Sequence, residues 1–206
     1  MAEKALCLHG FGSNKHSLRR SSFTKLLEKY YDLVYINAPH SIVQAFYDPN
    51  DEETHAFGWF YYDEEDNSKV DWSNIVTDDL SKLIGYQESL NLLTEILKDE
   101  SITLIYGFSQ GAAILSLMVT LNMIPSHIKK IIFGCGFSPY SIHREQKIQI
   151  PSLHIIGRHD SVIKMDMSIS LSEEYISPVI VIHEGKHVID NKSCYKIIYK
   201  RFLESK

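Results

Sequence analysis

Ser109 stands at the centre of Gly107-Phe108-Ser109-Gln110-Gly111. A β-branched run, Ile102–Tyr106, precedes this pentapeptide, and an apolar helical stretch follows it. A strand that turns sharply into a helix forces its apex residue into strained backbone angles. Positions two before and two after the apex then crowd together and admit only small side chains, which the two glycines supply. The apex hydroxyl is left exposed at a helix N-terminus, where the dipole and the N–H of Gln110 favour a developing anion. The chemistry expected of such a serine is nucleophilic attack on a carbonyl carbon. The chain carries its own comparison, since Gly136-Phe137-Ser138-Pro139-Tyr140 also follows a strand-like run. There Tyr140 replaces the second glycine and Pro139 has no N–H to offer, so Ser138 reads as a turn residue.

A serine hydroxyl at its ordinary pKa needs a base, and the base needs an acceptor that fixes its tautomer. In strand–helix hydrolases the chain order is Ser, acid, His. Asp160 lies just past the run Leu153–Ile156; of its rivals, Asp166 falls in an expected helix and Asp190 is so near His187 that a local loop contact explains it better. His187 follows the last strand-like run, Val179–Ile182, at loop distance, and His183 occupies that run's terminus. The triad expected is therefore Ser109, Asp160 and His187. The same stretch, His183-Glu184-Gly185-Lys186-His187, matches the zinc-binding pattern H-E-x-x-H. That pattern works on a helix, where positions four apart face one metal. Here it follows four β-branched residues and contains Gly185. A zinc-dependent hydrolase is thus the runner-up, and a non-catalytic binding module on the same fold is the third reading.

The first strand ends in Leu8-His9-Gly10-Phe11-Gly12. A His-Gly turn at that point lets a backbone N–H face a substrate oxygen, so Phe11 and Gln110 are the expected oxyanion donors, both through the main chain. No phosphate-loop or dinucleotide glycine pattern is present. No cofactor or metal is expected.

The elements that must position these residues alternate. Runs at Ala5–Leu8, Leu33–Asn37, Ile102–Tyr106, Lys130–Phe133, Leu153–Ile156 and Val179–Ile182 suit strands buried on both faces. Between them, helical spacing joins Phe23, Leu26, Leu27 and Tyr30; Leu80 through Leu97; Ser109 to Met123; and Tyr195 through Leu203. The expectation is an α/β fold of about six mostly parallel strands with helices on both faces, in one domain over 1–206. Functional groups should gather at the carboxyl ends of the strands.

Composition sets the remaining bounds. The chain has 206 residues, a net charge of −5, and ordinary proportions of apolar and charged residues. No basic cluster suggests nucleic acid, no run is long enough for a membrane span, and Ala5–Leu8 is too short for a signal-peptide core. Three cysteines, an odd and small number, favour free thiols in a reducing compartment, the cytoplasm. Charge is unevenly placed: Asp48 to Asp71 holds nine acids against Lys69 alone, a net of −8, together with five aromatic rings and a sixth, Trp72, next in sequence. The segment 40–76 is read as a lid or pocket wall, with Trp59, Tyr61 and Phe137 as candidate pocket residues.

Taken together, the chain resembles the FSH family of small serine hydrolases within the α/β-hydrolase superfamily. The resemblance rests on Leu6–Phe11 with Asn14, Asn37-Ala38-Pro39, Trp59-Phe60-Tyr61, Gly107–Ala113, Gly136–Pro139, Gly157 with Asp160, and His183 with Gly185 and His187. It implies an α/β-hydrolase fold and an esterase or thioesterase acting on a small-molecule carboxylic ester. The family's nucleophile, acid and base fall on Ser109, Asp160 and His187. One departure is Lys186, which stands where the family's H-x-G-G-H pattern has its second glycine.

Overall fold

The computed structural model describes residues 3–42, 48, 50–62, 75–141 and 146–205. Six strands form one parallel sheet: β1 (Lys4–Leu8), β2 (Asp32–Tyr35), β3 (Ile102–Phe108), β4 (Lys130–Gly134), β5 (Ser152–Gly157) and β6 (Val179–His183). Their order across the sheet is β6-β5-β4-β3-β1-β2. β3 therefore lies inside the sheet, with Cys7 opposite Tyr106 on one side and Phe133 opposite Gly107 on the other.

The strand sequences are almost continuously apolar because both faces are covered. Leu6, Leu8, Ile105, Ile131 and Phe133 face a core shared with α3 (Tyr86–Ile96), α4 (Gln110–Thr120) and α5 (Met165–Glu173). Alternate residues, among them Ala5, Cys7, Leu104, Tyr106 and Ile132, face a second core with α1 (Lys15–Arg19), α2 (Thr24–Leu27) and α6 (Ser193–Glu204). All eleven residues of α4 are buried, which explains why its sequence shows no polar face.

Every strand-like run of the sequence is a strand of this sheet, with ends shifted by one or two residues. β2 stops at Tyr35 because Asn37 leaves the ladder, its Oδ1 accepting from Lys15 N at 2.8 Å to start α1. The long helix expected from Leu80 to Leu97 is a different object. Leu80–Lys82 is a single 3-10 turn, Leu83–Ile84 pairs antiparallel with Tyr61–Tyr62, and α3 begins only after Gly85. Gly85 has φ +80°, and its carbonyl lies 2.7 Å from His40 Nε2, so the chain reverses there and the apolar spacing of 80–84 serves a bridge. A second ribbon pairs His40–Ile42 with Ala56–Gly58. Of the acidic segment, Asp63, Glu64, Glu65, Asp66, Asp71 and Trp72 lie outside the described residues.

Candidate active site

Ser109 follows β3 with φ 53° and ψ −118°, a conformation that costs a non-glycine residue about 1–3 kcal/mol and must be held by its surroundings. The restraints are visible. Ser109 N donates to Gly134 O at 2.9 Å, and Ala113 N donates to Ser109 O at 3.0 Å as the first turn of α4. A Cβ on Gly107 would meet Gly111 O at 2.5 Å, and one on Gly111 would strike Leu8 O. Both glycines of the pentapeptide are thus required by close backbone approach.

The loops after β5 and β6 bring the other two groups to this end of the sheet. His187 Nε2 lies 2.9 Å from Ser109 Oγ, and His187 Nδ1 lies 2.7 Å from Asp160 Oδ2. With the proton on Nδ1 donating to the carboxylate, Nε2 is left to accept from the serine hydroxyl. The second carboxylate oxygen, Asp160 Oδ1, accepts from Val162 N and Ile163 N, each at 2.9 Å. Burial alone would raise the Asp160 pKa. The bond to His187, its positive charge when protonated, and the two backbone donors outweigh burial and hold the carboxyl below its ordinary value. The rival acids are engaged locally: Asp166 Oδ1 accepts from Met167 N at 2.9 Å, and Asp190 Oδ1 accepts from Lys192 N at 2.9 Å.

The turn after β1 lies against the serine, with Gly10 so close that a Cβ there would come within 3.3 Å of Ser109 Cβ. Phe11, in this turn, lines the cavity beside Ser109, and Gln110, the next residue in the chain, is the first of α4. The turn is built on His9, which is completely buried. His9 Nδ1 donates to Gly10 O at 2.7 Å, and His9 Nε2 accepts from Ala38 N at 3.0 Å. Burial lowers the His9 pKa to about 4, so the ring is neutral and keeps this donor–acceptor arrangement.

Gln110 contributes a side chain whose role the sequence did not disclose. Its Oε1 accepts from Trp59 N at 2.8 Å, and its Nε2 donates to Phe60 O at 2.7 Å. Trp59 Nε1 in turn donates to His9 O at 2.8 Å. A buried glutamine opening an otherwise apolar helix is the signal that such a brace exists.

The candidate pocket residues Trp59, Tyr61 and Phe137 can be placed against this network. A cavity of about 460 Å³ opens beside Ser109, bordered by Phe11, Leu18 and Ser22 on one side and by Phe108, His187 and Ile189 on the other. Trp59 and Phe137 are fully buried and are absent from its lining, as is Tyr61. Trp59 braces the His9 turn, Phe137 packs in the core with its carbonyl accepting from Ser116 Oγ at 3.1 Å, and Tyr61 sets its ring edge against Phe11 at 6.3 Å. In this cavity these rings support the lining from behind, and rings that fill a core and rings that line a pocket look alike in sequence.

The zinc pattern also resolves. β6 ends at His183, so His183-Glu184-Gly185-Lys186-His187 is a strand end and a loop. His183 is fully buried with Nδ1 accepting from Gly185 N at 3.0 Å, and Glu184 is exposed against Arg158. The two imidazoles do not converge on one point in the manner of a zinc helix. Among the described residues, ligand atoms of Cys135, Asp160 and His187 lie within 4.8 Å of one another. They suit a metal poorly, since burial holds the Cys135 thiol protonated and Asp160 and His187 are bonded to each other. Lys186 is compatible with the loop, as its φ is not positive and its carbonyl accepts from Val188 N at 2.8 Å.

Comparison with known proteins agrees with this geometry. The family described as serine hydrolase (FSH1) matches residues 1–197. An esterase of Anopheles gambiae is 31% identical, over 97% of this chain and 76% of that protein. The esterase OVCA2 of Danio rerio is 29% identical, over 98% of this chain and 96% of its own length. Among solved structures, a carboxylesterase from Mesorhizobium loti superposes with a TM-score of 0.69 at 15% identity, covering 99% of this chain and 89% of that one. Zea mays acyl-protein thioesterase 2 gives 0.65 at 18% identity, covering 98% and 93%. These two share the α/β-hydrolase fold, and the sequence matches carry the rest: the chain belongs to the FSH1 family of serine hydrolases.

Proposed function

We propose that Ser109, His187 and Asp160 are the catalytic triad of this hydrolase, acting on uncharged carboxylic esters or thioesters. One observation carries the reading: the unbroken series from Ser109 Oγ to His187 at 2.9 Å and on to Asp160 at 2.7 Å. His187 Nε2 takes the hydroxyl proton as Oγ attacks the carbonyl carbon. Asp160, held ionised by its donors, orients the imidazole and stabilises the imidazolium. Charge on the carbonyl oxygen is met by the N–H groups of Phe11 and Gln110 at the start of α4. The imidazolium then protonates the leaving alkoxide or thiolate. In the second half, water gives its proton to His187 and attacks the acyl carbon. Ser109 leaves with that proton and the acid is released.

The whole chain acts as one domain in this reading. The substrate is a small molecule whose acyl part enters the largely apolar cavity beside Ser109. A cytoplasmic setting is supported by three free cysteines, two of them buried. No helix among the described residues is long and apolar enough to cross a membrane. The test is a pair of substitutions. Ser109→Ala should abolish both fluorophosphonate labelling and p-nitrophenyl ester turnover, with kcat falling on the order of 10⁴ to 10⁶-fold. Ser138→Ala should keep both, because Ser138 Oγ is spent on Tyr140 O at 2.9 Å. Labelling that persists in Ser109→Ala would remove Ser109 from the mechanism.

A further inference from the structure

The cavity beside Ser109 has two walls that come from opposite ends of the chain. One is the connection between α1 and α2, which contributes Ser21 and Ser22, and the other is the loop after β6, which contributes Val188 and Ile189. Between them the floor is apolar, made by Phe23 and Tyr106, whose rings lie 4.9 Å apart and are almost wholly buried.

Each wall is set by its own hydrogen bonds. On the first, Thr24 N donates to Ser21 Oγ at 3.2 Å and Thr24 Oγ1 donates to Leu18 O at 3.0 Å. On the second, Cys135 Sγ donates to Val188 O at 3.5 Å, and Tyr199 OH donates to Asp190 O at 2.8 Å. A side-chain bond joins the two loops: Asn191 Nδ2 donates to Ser22 Oγ at 2.5 Å, linking residues 169 positions apart. Ser22 is exposed while Phe23, beside it, is buried, so this bond lies on the solvent side of the trough. Neither residue is among the core residues, and Asn191 follows Ile189 of the second wall by two positions.

We propose that the Ser22–Asn191 hydrogen bond is the gate that sets how long an acyl chain this enzyme accepts. This rests on the triad reading above, which places the scissile carbonyl at Ser109. With the bond in place the two walls are tied together, and the acyl chain is confined to the space over Phe23 and Tyr106. With the bond broken the walls separate on the solvent side, and a longer chain continues across Phe23 and Ile189. Each further methylene removed from water there is worth about fourfold in binding.

The experiment compares Ser22→Ala, Asn191→Ala and the double variant with the parent enzyme. p-Nitrophenyl butyrate and myristate are the substrates, and active enzyme is counted by fluorophosphonate titration. The expected result is a ratio of kcat/KM, myristate over butyrate, that rises on the order of tenfold in either single variant. The double variant should rise no further, because both substitutions remove the same bond. Ser22 is an exposed loop residue, so Ser22→Ala keeps the test open if Asn191→Ala fails to fold. A ratio within twofold of the parent in correctly titrating Ser22→Ala, or additive effects in the double variant, would overturn the gate. Parent enzyme that neither labels nor turns over any ester would instead remove the triad reading, and the gate with it.

Discussion

At the scale of single residues, two histidines four positions apart do unlike things because one closes a strand and the other leaves it. His187 reaches Ser109 and Asp160, while His183 is buried with its ring edge toward Tyr195 at 6.1 Å. His187→Ala should therefore match Ser109→Ala in kcat while keeping the parent's circular dichroism. His183→Ala should lower the melting temperature and leave kcat within a few-fold. Equal loss of kcat in both would leave the base unassigned. Gln110 offers a third case, since its N–H is independent of its side chain. Gln110→Ala leaves Trp59 N and Phe60 O buried without their partners, at about 1–3 kcal/mol each. Urea unfolding should show that loss. Of these roles, the positions of the proposed nucleophile and base were legible in sequence because each sits at a change from strand to helix or strand to loop. The Gln110 brace was not, because its partners at Trp59 and Phe60 are fifty residues away and nothing local announces them.

At the scale of elements, what was legible followed from period. Continuous apolar runs identified all six strands, and an all-round apolar stretch identified α4. The stretch from Leu80 to Leu97 misled because a bridge strand and a 3-10 turn happen to continue the helical spacing, and the interruption depends on His40 lying across Gly85. Gly85→Ala tests that account. The new Cβ would meet the His40 ring at about its Nε2, in a backbone conformation that only glycine adopts freely. The expected cost is about 1–3 kcal/mol, seen in urea unfolding, and an unchanged midpoint would show the turn to be permissive. Lys130 gives a second element-level case. This buried lysine of β4 sends Nζ to Phe202 O and Leu203 O at 2.9 Å each, and also to Ser205 O, capping the C-terminus of α6. Burial lowers its pKa, yet the carbonyls it serves are the orphan acceptors of a helix end. Lys130→Met should lower the melting temperature through α6 and leave fluorophosphonate labelling intact. Loss of labelling at full stability would contradict this structural role.

At the scale of the whole molecule, two buried histidines link stability to pH. His9 holds the turn beside Ser109, and its pKa is lowered to about 4 by burial. His154, on β5, has its ring stacked on Phe133 at 4.9 Å and edge-on to Tyr175 at 5.2 Å, and burial lowers its pKa to about 3. In the unfolded chain both titrate near 6.5. As pH falls through that value the unfolded state binds two protons that the folded state refuses, so the equilibrium moves toward unfolding. Stability from these two groups is complete above about pH 6.5. It declines as pH falls below that, each group costing about 1.4 kcal/mol per pH unit until its own folded pKa is reached. Near pH 5 the combined loss is roughly 4 kcal/mol, a large share of the 5–15 kcal/mol typical of a domain. Protonation of His9 also turns its Nε2 from acceptor to donor against Ala38 N, so the site's framework fails with the fold. Urea unfolding of the parent at pH 7, 6 and 5 should show this decline. In His154→Phe, which keeps an aromatic ring between Phe133 and Tyr175, the slope below pH 6.5 should fall, because one of the protons the folded state refuses is gone. Equal slopes in parent and variant would mean that His154 is not one of the groups through which acid unfolds this protein.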